Sequence, residues 1–565
     1  MKITGAQAIV KCLEEQGVEV MFGFPGGVII DLFDELEKSD ITNVLVRHEQ
    51  AAVHAADAYG RVKGDVGVAL VTSGPGATNT VTGIASAYMD SIPLVVFTGQ
   101  VPTALIGNDA FQEVDIIGIT RPCTKHNYLV KDPNELCDTI REAFYIARSG
   151  RPGPVLIDLP KDVTMGKLTF NEPKPIKMQT YRPTYEPHPG QIAKACKQIL
   201  KAKRPVLYIG GGVISSNSNE ELTELATKLN IPVAMTLMGL GGFPGTHKLS
   251  MGMLGMHGTY YSNMAVSKCD LLIAVGARFD DRVTGKLDEF APKAKIIHVD
   301  IDPTSISKNV KVDIPIVADC KHALTAMNRW FDVNEDFKAD EHSEKLAPWL
   351  DDIKEWKNKH PLGYVEEGDI IKPQFVVQKL HELTKGDAII TTEVGQNQMW
   401  AAQFYHFNHP RHFMTSGGLG VMGYGFPASI GAQMAAPGKT VIDVAGDGSI
   451  QMNIQELATA RQYKCPVKIA ILNNAYLGMV RQWQELFYDK RYAGTDLEVQ
   501  PDFVKLAEAY GAVGLRATKV SEVVPVIKEA LATDNTVIMD FVIAREEGVF
   551  PMVPAGKATT EMLLA

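Results

Sequence analysis

Two polar turns in the last third of the chain carry residue types that could hold a divalent cation. Asp447 stands in the turn "GDGS", and Asn474 follows the apolar run "PVKIAIL" 27 residues later (474 − 447 = 27). Carboxylate and amide oxygens suit Mg²⁺, which keeps its other positions for water or phosphate. One helix and one strand fit within this interval, so a right-handed crossover would bring both turns to one edge of a parallel sheet.

Glycine-rich loops follow apolar runs at several other places in the chain. They are "GFPGG" at 23–27, "SGPGATN" at 73–79, "GGGV" at 210–213, "SGGLGVMGYG" at 416–425 and "GDGS" at 446–449. Glycine lets backbone N–H groups approach a phosphate closely, and a helix that begins after such a turn also favours an anion. The residues therefore predict a site for a metal-bridged diphosphate, with two ordinary capped turns as the alternative.

Apolar runs that alternate with helical patterns would position these turns. Examples are "VGVALV", "RPVLYI" and "TVIDVAG", one from each third of the chain. Strands that are apolar throughout are buried on both faces, which is typical of parallel sheets covered by helices. The sequence predicts an α/β protein with three doubly wound parallel-sheet domains, at 1–165, 188–335 and 370–545, and a tail at 546–565. The proline-rich segment 160–190 and the charged segment 333–372 are interpreted as linkers.

Length and charge exclude several classes of protein. The chain has 565 residues, too many for one core, and a net charge of −10, which argues against a general affinity for nucleic acid or anionic membranes. No apolar run approaches the ~20 residues that a membrane helix needs. Residues 1–17, interrupted by Glu14 and Glu15, predict an amphipathic helix and no signal peptide. Seven scattered cysteines without a CxxC motif indicate a reducing compartment, and we expect a cytoplasmic protein.

The combination "GDGS…LNN" resembles the cofactor motif of thiamin-diphosphate enzymes. Further segments along nearly the whole chain resemble the catalytic subunits of acetohydroxyacid synthases (acetolactate synthases), among them "RHEQAAVHAADAYGR", "GNDAFQEVDIIGIT", "VGARFDDRVTG", "GGLGVMGYGFPA" and "GMVRQWQELFY". The resemblance implies a pyrimidine-binding, a central FAD-binding and a diphosphate-binding domain. It also implies decarboxylation of pyruvate and condensation with a second pyruvate or 2-ketobutyrate, giving 2-acetolactate or 2-aceto-2-hydroxybutyrate for valine, leucine and isoleucine synthesis.

The same resemblance assigns residues to thiamin diphosphate and Mg²⁺. Glu49 would hydrogen-bond a pyrimidine nitrogen and help to remove the thiazolium proton, which requires a dry site and a carboxyl of raised pKa. Met422 would wedge beneath the bent cofactor. The implied diphosphate contacts are Gly395, Gln396, Asn397, Gly448 and Ser449, and the implied metal ligands are Asp447, Asn474 and the backbone carbonyl of Tyr476. Asn397 stands where most relatives carry His and brings no positive charge, so its own contact with the diphosphate stays open.

Another set of residues is implied for the keto acids and the flavin. Arg282 and Trp483 would select the acceptor keto acid, because an arginine fork suits a planar carboxylate. Without the surrounding motifs, Arg282 would be interpreted as an exposed arginine paired with Asp280 or Asp281, and Trp483 as an ordinary core tryptophan. The other implied lining residues are Gly27, Val28, Phe111, Gln112 and Lys161. The implied FAD contacts are Arg151 and the segments from His257 to Arg278 and from Asp300 to Asp319, and the flavin would be structural.

Two other functions use many of the same residues. A flavin-using pyruvate oxidase would share the thiamin site, but it has no need of "FDDRVTG" or the tryptophan of "RQWQELFY". A catalytically silent scaffold subunit would not need Glu49, Asp447 and Asn474 together.

The resemblance further implies a homodimer or homotetramer in which the first domain of one subunit faces the last domain of another. A separate regulatory subunit, feedback inhibition by valine and the preferred acceptor are left open by the sequence.

Overall fold

A computed structural model describes residues 2–564 except 171, 172, 174 and 177. Three six-stranded parallel sheets follow one another along the chain, which confirms the predicted α/β class. The four omitted internal residues belong to the predicted linker 160–190, so that part of the prediction lies outside the described residues. The same holds for residue 1 of the predicted first domain and residue 565 of the predicted tail. None of the helices within the described residues combines the length and the apolar character needed to cross a bilayer.

The first sheet occupies the N-terminal third. In spatial order its strands are Thr42–Leu45, Val20–Phe24, Gly67–Val71, Leu94–Gln100, Pro154–Pro160 and His126–Leu129. Its helices are Gly5–Glu15, Ile30–Leu36, Glu49–Lys63, Pro75–Thr78, Val81–Asp90, Ile116–Thr120, Leu136–Arg148 and Lys161–Met165, with 3₁₀ turns at Thr103–Leu105, Arg121–Cys123 and Pro133–Glu135. The central strands are buried on both faces, as their continuous apolar sequences predict.

The second sheet forms the middle unit. In spatial order its strands are Ser250–Met253, Val233–Met235, Pro205–Ile209, Leu271–Val275, Lys295–Asp300 and Ile314–Val317. Its helices are Pro189–Lys201, Gly211–Ser215, Asn219–Leu229, Tyr260–Lys268, Asp281–Thr284, Cys320–Val333 and Ala339–Lys359, with 3₁₀ turns at Leu237–Gly239, Leu287–Glu289 and Pro303–Ser305. The strand order reverses beside Pro205–Ile209, where a doubly wound sheet opens a crevice for ligands.

The third sheet carries the two polar turns. In spatial order its strands are Phe413–Met414, Ile389–Thr392, Val441–Gly446, Lys468–Asn473, Val537–Val542 and Val513–Ala517. Its helices are Pro373–Thr384, Gln396–Phe404, Gly425–Ala435, Leu457–Gln462, Gly478–Phe487, Phe503–Ala509 and Val520–Ala532, with 3₁₀ turns at Ile450–Met452 and Ile454–Glu456. Val441–Gly446 and Lys468–Asn473 are parallel neighbours, so their carboxyl ends share one edge.

The first and third units meet through two closely packed helices, Glu49–Lys63 and Gly425–Ala435. A Cβ on Gly431 would stand 2.0 Å from the carbonyl oxygen of Ala55, so only glycine permits this approach. The contact fixes the helix that begins at Glu49 against the unit that contains Asp447. The relative position of the two predicted halves of the thiamin site within one chain therefore depends on this pair of helices.

Three local expectations need correction. Residues 2–4 form a strand that pairs antiparallel with Lys167–Thr169, and the amphipathic helix begins only at Gly5. The crossover after Asp447 is two 3₁₀ turns and a short helix where one longer helix was predicted. The predicted linker 333–372 contains the helix Ala339–Lys359, whose buried Trp349 donates its indole N–H to the carbonyl oxygen of Pro205 (3.1 Å). This helix packs on the middle unit, and the domain boundaries themselves stay predictions.

Candidate active site

The predicted metal ligands meet at the carboxyl edge of the third sheet. Asp447 and Asn474 are both buried, and the backbone N–H of Asn474 donates to the Asp447 carboxylate. The side-chain oxygen of Asn474 accepts from the backbone N–H of Tyr476 (3.1 Å), which closes the turn around these residues. The structure thus brings together the three residues that the sequence assigned to the metal.

Asp447 is a buried carboxylate without a nearby positive charge among the described residues. Its exposed fraction is 1%, and none of the ion pairs within the described part of the chain includes it. Gln500 donates its amide N–H to Oδ2, and burial raises the pKa of Asp447 to about 6. A buried carboxylate without a basic partner is costly, so a bound cation fits this position. No cluster of three His, Cys, Asp or Glu side chains occurs among the described residues, so amide and carbonyl oxygens would complete the set.

The predicted diphosphate residues surround this pair. Gln396 opens the helix Gln396–Phe404, and its side-chain oxygen accepts from the Asn474 amide (3.3 Å). Ser449 exchanges hydrogen bonds with the backbone of Gly446, which shapes the "GDGS" turn. A Cβ on Gly448 would lie 2.7 Å from a methyl carbon of Leu477, so a larger residue here would have to displace that side chain. Gly395 immediately precedes the helix, where its N–H groups would face an anion.

Asn397 is oriented by the backbone of two neighbouring strands. Its amide nitrogen donates to the carbonyl oxygens of Glu393 (2.9 Å) and Val444 (2.8 Å). Both amide hydrogens are therefore used, and the remaining oxygen is an acceptor that would not attract a diphosphate. The geometry favours a role for Asn397 in holding two cofactor loops together, which the sequence had left open.

Met422 projects from a loop whose backbone is held on several sides. The N–H of Gly423 donates to the buried carboxylate of Glu393 (2.6 Å), and the carbonyl oxygen of Gly423 accepts from the side-chain amide of Asn453 (2.6 Å). The N–H of Val421 donates to the hydroxyl of Ser416 (3.1 Å). Met422 itself is half-exposed. A fixed backbone with a partly exposed apolar side chain is suited to support a bent ligand from below.

The residues predicted in the first unit form a second group. Glu49 begins the helix Glu49–Lys63, and its Oε2 accepts from the Asn79 amide (2.9 Å) in the loop "SGPGATN". Lys161 donates to the carbonyl oxygen of Gly27 (3.2 Å). Gln112 lies against Gly74 of that same loop, where an added Cβ would come within 2.8 Å of its carbonyl oxygen. This contact places Gln112 on the same side of the sheet as Glu49.

Two apolar members of this group differ in their surroundings. Val28 packs against Gly99, where an added Cβ would stand 2.6 Å from a Val28 methyl carbon. Phe111, in contrast, is 88% exposed. A large aromatic side chain left this bare beside predicted site residues needs a covering surface.

These two groups are separate within the single chain. Among the described residues, no hydrogen bond or ion pair joins the side chains of Glu49, Gln112 or Lys161 to those of Asp447, Asn474 or Gln396. Glu49 is half-buried, so the chain by itself does not supply the dry surroundings expected for this carboxyl. Each half carries exposed apolar side chains, such as Ile30 and Phe111 on one and Met452 and Val480 on the other.

One cavity of about 1280 Å³ between the three units is lined by Arg151, Arg282 and Trp483. The two predicted flavin segments reach it only at their ends, with His257, Gly276, Ala277 and Arg278 of the first and Asp300, Ile301 and Asp319 of the second, and the residues between these ends are not part of its lining. The glycine loop Gly210–Gly212 at the end of the strand Pro205–Ile209 lies on the same wall, although its sequence lacks a full dinucleotide fingerprint. The predicted flavin residues and the predicted acceptor residues thus share a single continuous space.

Several charged side chains of this cavity already form hydrogen bonds or ion pairs within the chain. Arg151 donates from Nε to the hydroxyl of Ser91 (2.8 Å) and lies 3.4 Å from Asp302. Asp319 caps the helix Cys320–Val333 and accepts from the backbone of the second helical residue, which limits what it can offer a ligand. Burial lowers the pKa of His257 to about 4, so this imidazole is neutral at physiological pH.

Arg282 and Trp483 lie at the open end of the cavity. The Arg282 side chain is 62% exposed, and its one ion pair within the described part of the chain is a long one to Asp281 (3.9 Å). Asp280 pairs with Arg278 instead (3.1 Å). Trp483 is half-buried and makes an edge contact with Phe487 at 5.6 Å between ring centroids. Neither residue therefore has the tight ion pair or the core position that a purely structural role would favour.

A buried ion network at the cavity wall was not predicted. Arg61 pairs with Asp57 (2.7 Å) and Asp90 (3.2 Å), and Asp90 accepts from the backbone N–H groups of Gly417 and Gly418. The network ties the first unit to the loop that carries Met422. Asp57 and Arg61 stand four residues apart on the helix Glu49–Lys63, but Asp90 and the loop at Gly417 lie far from them in sequence, so no local pattern signals the whole network.

Comparison with protein families matches each unit to a family of thiamin-dependent enzymes. Residues 3–119 match the thiamine pyrophosphate enzyme N-terminal TPP binding domain, residues 192–327 match the central domain, and residues 393–541 match the C-terminal TPP binding domain. Each match falls on one of the three sheets described above. The order of the three matches is that expected from the sequence.

Curated relatives match the chain over its length. The acetolactate synthase isozyme 3 large subunit of Escherichia coli K12 is 49% identical over 569 residues, covering 100% of this chain and 99% of that protein. The acetolactate synthase large subunit of Corynebacterium glutamicum is 50% identical, covering 100% and 90%. The probable acetolactate synthase large subunit of Methanocaldococcus jannaschii is 50% identical, covering 99% and 95%. These names favour the synthase over the oxidase, and the chain belongs to the acetolactate synthase large-subunit family of thiamine pyrophosphate enzymes.

Proposed function

We propose that this chain joins two 2-keto acids with loss of carbon dioxide. Pyruvate is decarboxylated, and its two-carbon unit is transferred to a second pyruvate or to 2-ketobutyrate. The products are 2-acetolactate and 2-aceto-2-hydroxybutyrate, which serve branched-chain amino acid synthesis. The observation that carries the proposal is the buried Asp447, which is held against Asn474 at the edge of adjacent parallel strands and has no basic partner among the residues that the structure describes.

The residues around Asp447 would hold thiamin diphosphate through Mg²⁺. Asp447, the side-chain oxygen of Asn474 and the carbonyl oxygen of Tyr476 would bind the cation, and the turn Gly448–Ser449 would face the diphosphate. When bound, thiamin diphosphate supplies the nucleophilic carbon and stabilises the negative charge left by carbon dioxide. Asn397 would act indirectly, because both of its amide hydrogens hold the loops in place.

Glu49 would share a proton with the pyrimidine ring, and Arg282 would hold the acceptor. Glu49 is oriented by Asn79 and by its position at the start of a helix. The exposed guanidinium of Arg282 presents a fork that matches the carboxylate of the second keto acid. Trp483 would supply an apolar wall beside the side chain of that acceptor. Gly27, Val28, Phe111, Gln112 and Lys161 would line the approach from the other half-site.

The cavity between the units would hold FAD. Its volume suits a dinucleotide, its glycine loop leaves room for a diphosphate, and Arg151 and Arg278 offer positive charge. Condensation of two keto acids involves no net redox change, so the flavin would be structural. The test is the flavin content of purified protein after denaturation, compared with a Gly211→Val variant. An added Cβ at Gly211 meets only Met238 at 3.4 Å, so the substitution narrows the cavity without a backbone clash.

Assembly would complete the site. The exposed Phe111 beside one half-site and the exposed Val480 beside the other support a homodimer or homotetramer, in which each half covers its counterpart on a second subunit. The relatives are named large subunits, which supports association with a separate small regulatory subunit. All seven cysteines are free, which supports a cytoplasmic location.

Product analysis tests the proposed reaction. Purified protein is incubated with pyruvate, thiamin diphosphate and Mg²⁺, with Asp447→Ala as the control that should lose turnover. Acetolactate with carbon dioxide is the expected outcome. Acetyl phosphate or hydrogen peroxide would assign an oxidase, and an absence of turnover in the loaded protein would assign a scaffold. A mixture of pyruvate and 2-ketobutyrate then gives the acceptor preference from the ratio of the two products.

A further inference from the structure

A carboxylate in the third unit holds the backbone just ahead of Glu49. Glu456 is fully buried, and its two oxygens accept from the backbone N–H of Arg47 (3.0 and 3.1 Å). The N–H of His48 also faces this carboxylate, and the Thr459 hydroxyl donates to it at 2.6 Å. Glu456 thereby fixes the two peptide units that lead into the helix Glu49–Lys63.

Neighbouring side chains hold the same stretch of backbone. The hydroxyl of Tyr463 accepts from the N–H of Leu45 (2.7 Å) and donates to the carbonyl oxygen of Asn43 (3.1 Å). The guanidinium of Arg47 donates to Gln462 (2.7 Å). The exit of the strand Thr42–Leu45 is therefore attached to the segment 456–463 through several polar contacts, of which Glu456 lies nearest to Glu49.

This segment is also continuous with the metal turn and the Met422 loop. Asp447 begins it, Asn453 holds the backbone of Gly423 (2.6 Å), and Glu456 follows three residues later in a 3₁₀ turn. One short stretch of chain, 447–463, thus touches the loop of the predicted metal ligand, the loop of the predicted wedge and the backbone before the predicted proton-transfer residue. A displacement of this stretch would therefore change the backbone at the metal turn, at the Met422 loop and ahead of Glu49.

We propose that Glu456 is a positioning residue that sets the orientation of Glu49 from the cofactor-binding unit. The proposal rests on the proposed role of Glu49. Glu456 does not touch the substrate and acts only by holding the Arg47 and His48 N–H groups. If the Glu49 of one subunit serves the site of the other, this contact connects the metal turn of one site to the proton-transfer residue of its neighbour.

The test exchanges the carboxylate for its amide. Glu456→Gln keeps the side-chain shape but turns one acceptor into a donor that faces backbone N–H groups, so the peptide before Glu49 must move. Small displacements of a reacting group can cost up to about a hundredfold in rate. We expect exchange of the thiazolium proton for deuterium, followed by NMR, to slow about tenfold or more. The affinity for thiamin diphosphate and Mg²⁺ and the KM for pyruvate should stay near the wild-type values. Glu529→Gln, an exposed glutamate on a helix of the same unit, is the matched control.

A double variant separates a positioning role from a general loss of structure. If Glu456 acts through Glu49, Glu49→Gln with Glu456→Gln should exchange no more slowly than Glu49→Gln alone. Additive slowing would overturn the proposal, and so would wild-type exchange in Glu456→Gln beside slow exchange in Glu49→Gln. Wild-type exchange in Glu49→Gln would instead overturn the proposed function. Should Glu456→Gln fail to fold, Thr459→Val removes only the hydroxyl donor. Slowed exchange in that variant supports the proposal, and unchanged exchange contradicts it.

Discussion

The backbone N–H of Asn474 donates to the carboxylate of Asp447, although 27 residues of chain separate them (474 − 447 = 27). The contact exists because their strands are parallel neighbours that end at the same edge of the sheet. A cation bound there would touch both turns and, through them, the diphosphate. Metal and cofactor binding should therefore rise and fall together.

Asp447→Ala should abolish this coupled binding. The substitution removes the charged ligand, so the affinity for Mg²⁺ and for thiamin diphosphate should fall together. Asn474→Ala removes a neutral ligand and should weaken both more mildly. Equilibrium dialysis with radiolabelled cofactor, at several Mg²⁺ concentrations, measures the effect. An unchanged cofactor affinity in Asp447→Ala would show that the metal lies elsewhere.

Glu49→Gln should fold and bind the cofactor but activate it slowly. The amide keeps the shape and the contact with Asn79, yet it cannot exchange a proton with the pyrimidine ring. Loss of a general acid–base group typically costs ~10²–10⁴ in rate. The measurement is thiazolium proton exchange on the bound cofactor, with circular dichroism as a check of the fold. Exchange at the wild-type rate would remove Glu49 from the mechanism.

Arg282→Lys should change the products more than the first chemical step. Lysine keeps the positive charge but loses the fork, and charge-assisted hydrogen bonds are worth ~1.5–3 kcal/mol. We expect normal decarboxylation of the first pyruvate, poor capture of the second keto acid and a rise in released acetaldehyde. Arg204→Lys, at an exposed ion pair with Asp352, serves as the control. Unaltered product ratios and acceptor saturation would leave Arg282 as a structural residue.

Gly431→Ala should loosen the packing of the first unit on the third. The new methyl group would meet the Ala55 carbonyl oxygen, and overpacking of this kind costs ~1–3 kcal/mol of unfolding free energy. Gly438→Ala is the matched control, because nothing lies within 4 Å of the added Cβ. Chemical denaturation of both variants gives the difference. Equal stabilities would mean that the two helices readjust at no cost.

Local rules explain why the sequence anticipated so much of the third sheet. Continuous apolar runs predict buried parallel strands, and the crossover rule then places Asp447 beside Asn474 without any knowledge of the rest of the chain. The contact between Glu456 and Arg47 joins residues 409 positions apart and depends on how two units pack. No spacing rule reaches that far, and the same is true of the contact between Asp90 and the backbone N–H of Gly417, which are 327 positions apart.

The sequence of the helix Ala339–Lys359 contains an apolar periodicity that its many charged residues obscure. Leu346, Trp349, Leu350 and Ile353 follow the spacing i, i+3, i+4 and i+7, which marks an apolar face. The many charges around them led to a linker interpretation. The structure buries Trp349 and Ile353 against the middle unit and leaves most of the charged side chains exposed, while Lys345 and Lys357 donate to carbonyl oxygens of that unit. Periodicity was the better guide here because only one face of a surface helix has to be apolar.

The last prediction is that the chain is inactive as a monomer. Glu49 and Asp447 stand on separate half-sites of one chain, and each half-site carries exposed apolar side chains such as Phe111 and Val480. A two-fold dimer would form two equal sites, each from one half of either subunit. Glu49→Ala and Asp447→Ala should each be inactive alone. After subunit exchange, a mixed dimer has one site with both residues intact and one with both replaced, so up to half of the wild-type activity should return. Mass spectrometry confirms the exchange, and mixed dimers without activity would mean that each site is built within one chain.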